Sequence, residues 1–263
     1  MSIVERTVGD VLRDWRRRRH FSQLDLALEA QVSARHLSFL ETGRSHPSRD
    51  LLLRLADSLD VPLRERNAML LAGGFAPVFP ERPLSDPALA VARAAVALVL
   101  KGHEPYPALA IDRYWTLLAA NQPVERLLTS VPAQLLGPPA NVLRICFHPD
   151  GLAPRILNRA TLFPHMIERL QHEIHLTCDP KLETLRDELL SYPAMQSLAQ
   201  RHISSQAIVV PFQLQSDIGV VNFITTTTVF GTPVDVTLDE LAIESFFPAD
   251  AETAEHMRLL WQR

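Results

Sequence analysis

Arg35 stands in the run Ser33-Ala34-Arg35-His36, and a serine hydroxyl at that point can accept from the free N–H groups of a starting helix. A planar guanidinium in the first turn of an exposed helix can give two parallel hydrogen bonds to the paired acceptors of guanine. Ala34, His36 and Phe39 fall on the same early turns, the side that a docked helix turns into a major groove. The elements that must hold Arg35 there are legible around it. An earlier helix opens at Ser22 and is expected to send Leu24, Leu26, Ala27 and Ala30 toward a core, and Val32 plugs the turn that follows. Leu37, Leu40 and the aromatic part of Phe39 recur at roughly helical spacing behind Ser33, until Gly43 stops the second helix in a backbone conformation that glycine takes readily. Two short helices joined by a tight turn are the outline of a DNA-reading helix-turn-helix.

Taken together, SQLDLA, VS, LETG and HPSRDLLLRLADSLDVP resemble the XRE-type, phage-repressor-like DNA-binding domain over about residues 5–72. The resemblance implies that Gln23, at the N-terminus of the domain's second helix, contacts phosphate or a base. It also implies that Arg16 pairs with Glu41 to brace the fold. The expected DNA contacts are Arg17, Gln23, Ser33, Ala34, Arg35, His36, Phe39 and Arg44. The sequence departs from the family at Gln31, where glycine is usual and reaches the turn geometry more cheaply. The bland reading of this segment is a small helical bundle or a partner-binding module without DNA affinity.

Charge leans mildly toward nucleic acid. Residues 1–72 hold 12 Lys+Arg against 10 Asp+Glu, while the remainder holds 14 against 20, within a chain of net charge −4. An acidic whole with a mildly basic head suits a protein that meets DNA through one face. The run Arg16-Arg17-Arg18-Arg19 closes the first helix, where cations suit the negative end of the helix dipole and can also meet phosphates. A solvated arginine face explains Arg18 and Arg19 equally well.

At 263 residues and 47% apolar content, the chain has room for a small head and a second domain with its own core. The N-terminus reaches charged residues at once and carries no signal-peptide pattern, and Ala88 to Leu100 is too short to span a bilayer and is interrupted by Arg93. Two cysteines, Cys146 and Cys178, fit reduced thiols, so a cytoplasmic location is expected.

Two more helices, Ser48 to Leu59 and Pro62 to Ala72, are expected to complete the head, the second with proline in its first position, and Gly73-Gly74 closes it. The stretch after it holds Pro77, Pro80, Pro83 and Pro87 and reads as an extended connector. The expected division is a head at 1–74, a linker at 75–86 and a second domain at 87–263. That domain starts with an alanine- and valine-rich helix. Ala108 to Ile111 and Trp115 to Ala119 then read as strands of a hairpin around Asp112-Arg113. The middle, from Pro139 to about Arg201, reads as mostly helical. Gln206 to Leu214 and Gly219 to Thr228 read as strands, with Val229 to Val236 as a third apolar run. The fold class is an all-α helix-turn-helix N-terminal domain plus an α+β, PAS-like C-terminal domain.

PALAIDRYW, LLAAN, NVLRICFHPDG, VVPFQ and VVNFITT resemble the MmyB-like ligand-binding domain, a PAS-related module, over about residues 86–258. The resemblance implies a small, largely apolar ligand, with fatty acids the favoured class. Trp115, Phe147, Phe163, Phe212, Phe223 and Phe230 are aromatics able to line such a pocket, although each serves equally as core. An acidic ligand needs a partner for its head, and Arg113, Arg144, Arg155, His148 and Asn121 are the polar groups inside the family-like motifs. Arg113 reads just as well as one half of an ion pair at a hairpin tip.

His172, His175 and Cys178 lie three apart, and Cys146 and His148 two apart, spacings that a transition-metal site can use. No Cys-x-x-Cys pair or His-Glu-x-x-His motif supports it, and neither metal nor cofactor is expected. His165, His202 and His256 read as surface residues. No nucleophile elbow, phosphate-cradling glycine loop or dinucleotide fingerprint is present, which leaves an enzymatic reading without a candidate residue. The sequence therefore points to a ligand-responsive transcriptional regulator that binds duplex DNA as a homodimer. The alternatives are a second domain that only dimerises or recruits a partner, and an enzyme fused to a regulatory head.

Overall fold

Hydroxyl side chains begin the first four helices. The computed structural model, which describes residues 6–198, 209–217 and 219–261, places Thr7, Ser22, Ser33 and Ser48 ahead of α1 (Val8–Arg18), α2 (Gln23–Glu29), α3 (Ala34–Glu41) and α4 (Arg49–Ser58). Thr7 with Asp10 and Ser22 with Asp25 close reciprocal capping boxes, each satisfying two orphan donors of a helix N-terminus. The fifth helix, α5 (Leu63–Ala72), has Pro62 as its cap residue rather than in its first turn, and proline offers no side-chain acceptor. The Asp239 carboxylate takes that role, accepting from the Leu63 N–H at 3.1 Å.

Asp239 lies far along the chain, yet it belongs to the first of two compact units. That unit comprises Met1–Arg82 together with Thr232–Asp239; the second comprises Pro83–Gly231 with Glu240–Arg263. In the first unit Leu12, Trp15, Leu26, Leu37, Leu40, Leu55 and Met69 form the core. Gly9 lets α1 meet α3 closely, since a Cβ there would stand 2.5 Å from the Leu40 carbonyl oxygen. Leu24, expected inward, is 60% exposed. Leu26, Ala27 and Ala30 define the buried face of α2, and two residues of helix carry Leu24 about 200° away from Leu26.

The proline-bearing stretch after α5 is fastened to the head. The Asn67 amide donates to the Phe79 carbonyl and accepts from the Val78 and Phe79 N–H groups at 2.7–3.1 Å, and Arg82 pairs with buried Asp235 at 2.9 Å. Prolines bar regular structure here, but a side-chain amide satisfies the backbone that they leave unpaired.

The second unit is built on one antiparallel sheet of order β2-β1-β5-β4-β3: β1 (Ala108–Ile111), β2 (Leu117–Ala120), β3 (Phe212–Ser216), β4 (Gly219–Val229) and β5 (Ala242–Pro248). Around it run α6 (Ala90–Gly102), α7 (Gln122–Leu127), α8 (Ala133–Leu136), α9 (Val142–Phe147), α10 (Arg159–Thr177), α11 (Pro180–Ser191), α12 (Pro193–Leu198) and, at the end of the chain, α14 (Ala251–Trp261). Between β4 and β5 lies α13 (Val236–Asp239), in the first unit. The result is the expected helical head followed by an α+β domain.

The third strand of the meander is not the apolar run Val229 to Val236. Pro233 interrupts that run, and residues 232–239 leave the sheet; the strand is β5, whose Glu244 and Ser245 disguise it as part of an acidic tail. Of the run Gln206 to Leu214, residues 206–208 lie outside the described residues, and the strand begins at Phe212.

Alternation along β5 separates two cores. Ile243 packs with Ala108, Ala110, Val96 and Leu100, joining the sheet to α6. Glu244 and Phe246 point to the opposite face, which α10 covers.

Candidate DNA face and ligand cavity

Glu41, the last residue of α3, holds helices α1, α2 and α3 in register. Its side chain is 1% exposed, and Arg16 grips it with Nε on Oε1 at 2.6 Å and Nη2 on Oε2 at 2.9 Å. Gln23 adds an amide N–H to Oε2 at 2.8 Å, and Arg13 donates to the Glu41 carbonyl. Burial pushes the Glu41 carboxyl upward, but the hydrogen bonds from Arg16 and Gln23 and the charges of Arg16 and Arg13 outweigh it, leaving the group below its ordinary value. The first turn of α2 and the last turn of α3 are thereby fixed to α1.

The turn between them has Gln31 at φ 55°, in the left-handed region that glycine reaches without strain. Val32 N–H donates to the Ala27 carbonyl at 2.8 Å, and the Ser33 hydroxyl accepts from His36 N–H at 3.1 Å. Beyond that cap Arg35 is exposed, Ala34, His36 and Phe39 are half-buried, and Leu37 and Leu40 face the core. The guanidiniums of Arg35 and Arg44 lie over the Phe39 ring, 5.4 and 5.9 Å from its centroid. In the arginine run Arg16 braces, Arg18 and Arg19 stack on Trp15, and Arg19 also donates to the Leu59 and Asp60 carbonyls. Arg17 is exposed with no side-chain bond among the described residues. One surface thus gathers Ser33, Ala34, Arg35, His36, Phe39 and Arg44, while Gln23 spends its amide N–H on Glu41.

The second unit holds a cavity of about 590 Å³, within the ~300–1,000 Å³ range of small-molecule sites. Strand register builds one wall. Glu244 stands opposite Thr227 on one side and Leu109 on the other; Phe246 stands opposite Thr225, and Phe223 opposite Phe212. Helix α10 supplies the facing wall through Leu162, His165, Met166 and Arg169, at i, i+3, i+4 and i+7 along one side. Trp115, Ile145 and Cys146 also line it, and burial pushes the Cys146 thiol up to about 12.

The lining is mostly apolar; besides His165 and Thr225, its polar side chains meet at Arg169. Its Nη2 meets Glu244 Oε1 at 2.6 Å, its Nε stands 3.6 Å from Glu173 Oε1, and its guanidinium lies over the Trp115 ring at 4.5 Å from the centroid. Thr227 donates to the same Glu244 oxygen at 3.0 Å, and the Trp115 indole N–H donates to Glu173 Oε2 at 2.9 Å. Burial raises the Glu173 carboxyl above its ordinary value, against the opposing pull of the Trp115 hydrogen bond and of Arg169.

Of the residues expected to touch a ligand, Trp115, Phe212 and Phe223 reach the cavity. The others have different work. Arg113 pairs with Glu240 at 2.7 Å and Asp179 at 3.4 Å, Arg144 forms a two-bond pair with Glu188, and Arg155 donates to the Gln215 and Leu127 carbonyls. Buried Asn121 accepts from Ala108 N–H and donates to the Leu100 and Tyr106 carbonyls, tying α6 to the sheet. Phe147 and Phe163 stack at 4.1 Å between centroids within the core, Phe230 packs with the α6 cluster, and His148 packs edge-on against Tyr192. An apolar motif is legible in sequence, but which arginine finds an acid within its own fold is not. His165, expected at the surface, is exposed and also lines the cavity; His202 lies outside the described residues.

Arg169 and Glu244 escaped the sequence reading. The signal available was Arg169 and Glu173 at i,i+4 on one helix face and a lone acid between apolar residues in AIESFF. Among the described residues no three His, Cys, Asp or Glu side chains gather as a metal would need, and His172, His175 and Cys178 are exposed.

Residues 92–260 match the family described as MmyB-like transcription regulator ligand binding domain, and residues 12–66 match the one described as Helix-turn-helix. No curated protein matched the chain. Among solved structures, the chain is similar to "Structure of an RNA-binding Light-Oxygen-Voltage Receptor", at 13% identity and a TM-score of 0.30. That similarity covers 100% of this chain and 64% of the other.

Proposed function

The chain belongs to the family of MmyB-like transcription regulator ligand binding domains, and from that premise we propose that a small apolar ligand in the cavity sets how its helix-turn-helix head binds DNA. It is a DNA-binding transcription regulator with a ligand-sensing domain; both matched families are regulatory rather than enzymatic. The observation that carries the proposal is the largely apolar cavity between α10 and the sheet, with Arg169 and Glu244 paired on its wall. The ligand is a chain-bearing molecule, either the fatty acid that the resemblance implies or one with a different head.

Chain connectivity supplies a route from cavity to head. β4 and β5 both line the cavity, and the residues that join them, 232–239, belong to the head's unit. There Asp235 holds Arg82, Val236 N–H donates to the Pro80 carbonyl at 2.8 Å, and Asp239 caps α5. A ligand that spreads or tightens the two strands therefore acts on a segment built into the head. Regulation requires that the ligand favour one arrangement, since equal affinity for both shifts nothing.

The regulator acts as a homodimer on a roughly palindromic operator, with the exposed Val91, Leu98 and Val99 of α6 as the apolar surface offered to a second copy. Its place is the cytoplasm, with its DNA. Among the described residues no helix is long and apolar enough to cross a membrane.

The test is fluorescence anisotropy on an operator obtained by in vitro selection, comparing protein as purified with protein stripped of small molecules on a hydrophobic resin. Allosteric coupling of ordinary size changes the affinity about 5–150-fold. Equal affinities, with a small molecule recovered from the resin, would leave the second domain as a dimerisation or recruitment module.

A further inference from the structure

Around Arg169 the cavity wall is already neutralised. Glu244 is buried, with its side chain 5% exposed, and its contact with Arg169 at 2.6 Å cancels the one guanidinium that lines the cavity among the described residues. Both hydrogen bonds to Glu244 among the described residues, from Arg169 and Thr227, fall on Oε1. Its other oxygen, Oε2, is left as an acceptor on a residue of the cavity wall. Glu173 stands behind the pair as a second acid, and the face of Trp115 covers the guanidinium.

We propose, resting on the sensor reading above, that the ligand's polar end is a hydrogen-bond donor, an alcohol or an amine, received by Glu244 beside Arg169, rather than a carboxylate. A carboxylate in this place brings a negative charge to a guanidinium whose charge is spent, next to an acid that cannot leave. Among the described residues of the lining, only exposed His165 is left to carry a balancing charge, and burying an unpaired charge is among the costliest events in a protein interior. A hydroxyl meets the open acceptor without adding charge. An ammonium adds one positive charge among two acids and one guanidinium, and its hydrogen bond to an ionised carboxylate is of the strong, charge-assisted kind. The apolar chain lies along Leu109, Met166, Phe223 and Phe246, so that chain and head are read by different parts of the wall.

Three probes of equal chain length, decylamine, decanol and decanoate, isolate the head. The stripped full-length protein is titrated with each by isothermal titration calorimetry below the micellar range. The expected result is that decylamine and decanol bind at least tenfold more tightly than decanoate. Glu244→Gln, which keeps the shape and removes the charge, is expected to improve decanoate relative to decylamine at least tenfold. Glu173→Gln gives a second variant with a smaller shift in the same direction. Decanoate binding to the wild type as tightly as decanol, or more so, overturns the inference and leaves the sensor reading standing. Failure of all three chains to bind removes both.

Discussion

Replacing Glu41 by glutamine is expected to unravel the head before any other part of the protein. The side chain is 1% exposed and receives Arg16 at 2.6 and 2.9 Å and Gln23 at 2.8 Å. An amide of the same shape leaves the Arg16 guanidinium, whose side chain is 11% exposed, without its counter-ion. Removing one partner of a buried pair costs about 3–5 kcal/mol. The loss is expected near the lower figure, because Arg16 keeps its bond to the Phe21 carbonyl at 2.9 Å. Hydrogen exchange of the α2 and α3 amides in the full chain reads the opening free energy of the head separately from the second domain. The double replacement Arg16→Met, Glu41→Leu is expected to recover most of the loss, since an apolar pair of similar volume needs no counter-charge. Acid dependence gives a second reading. The native carboxyl lies below its ordinary value, so the stability it contributes is fully present above that value and is lost as pH falls through the lowered one. The glutamine variant is expected to lack this acid-side decline. An opening free energy within about 0.5 kcal/mol of wild type, the range of an ordinary surface substitution, would refute the bracing argument.

Arg35→Ala is expected to relax base preference at one operator position and cost about 1–3 kcal/mol there, measured by binding-site selection on wild type and variant. Arg17→Ala or Arg44→Ala is expected instead to weaken binding to all sequences alike and to lower the slope of log affinity against log salt by about 1, read from anisotropy titrations. Iodoacetamide at neutral pH is expected to label exposed Cys178 while sparing Cys146, whose thiol burial pushes up to about 12; peptide mass mapping of the native protein decides it. Asp239→Ala is expected to remove the cap of α5 and lower the head's opening free energy by about 1 kcal/mol, seen as faster exchange of the first α5 amides.

The head was legible because its cues are local. Ser22, Ser33 and Ser48 mark helix starts, Leu26, Leu37 and Leu40 mark one face, and Gln31 marks the strained turn, all within a few residues of the features they control. The cavity was half legible. Trp115, Phe212 and Phe223 sit in apolar runs that any half-buried strand or turn displays, whereas the polar groups were sought within the same motifs and lie elsewhere. Arg169 meets Glu244 across 75 residues of chain, through a strand whose acid made it read as a tail. Arg113 and Arg144 drew attention for the same charge, and only the fold shows Glu240 and Glu188 beside them. Periodicity cannot reveal which buried charge has found a partner, because pairing depends on strand order and register. The return of residues 232–239 to the head is non-local in the same way, resting on Asp235 with Arg82 and Asp239 with Leu63.

Native mass spectrometry of the full-length protein, followed by denaturing extraction, addresses the central claim most directly. The cavity between α10 and the sheet is expected to carry a small apolar molecule from the cell, seen as a mass excess that disappears on denaturation. In the Met166→Trp, Leu128→Trp variant, which fills the cavity from two sides, the excess is expected to vanish while the fold remains. The same bound molecule in wild type and variant would place the ligand elsewhere and contradict the account.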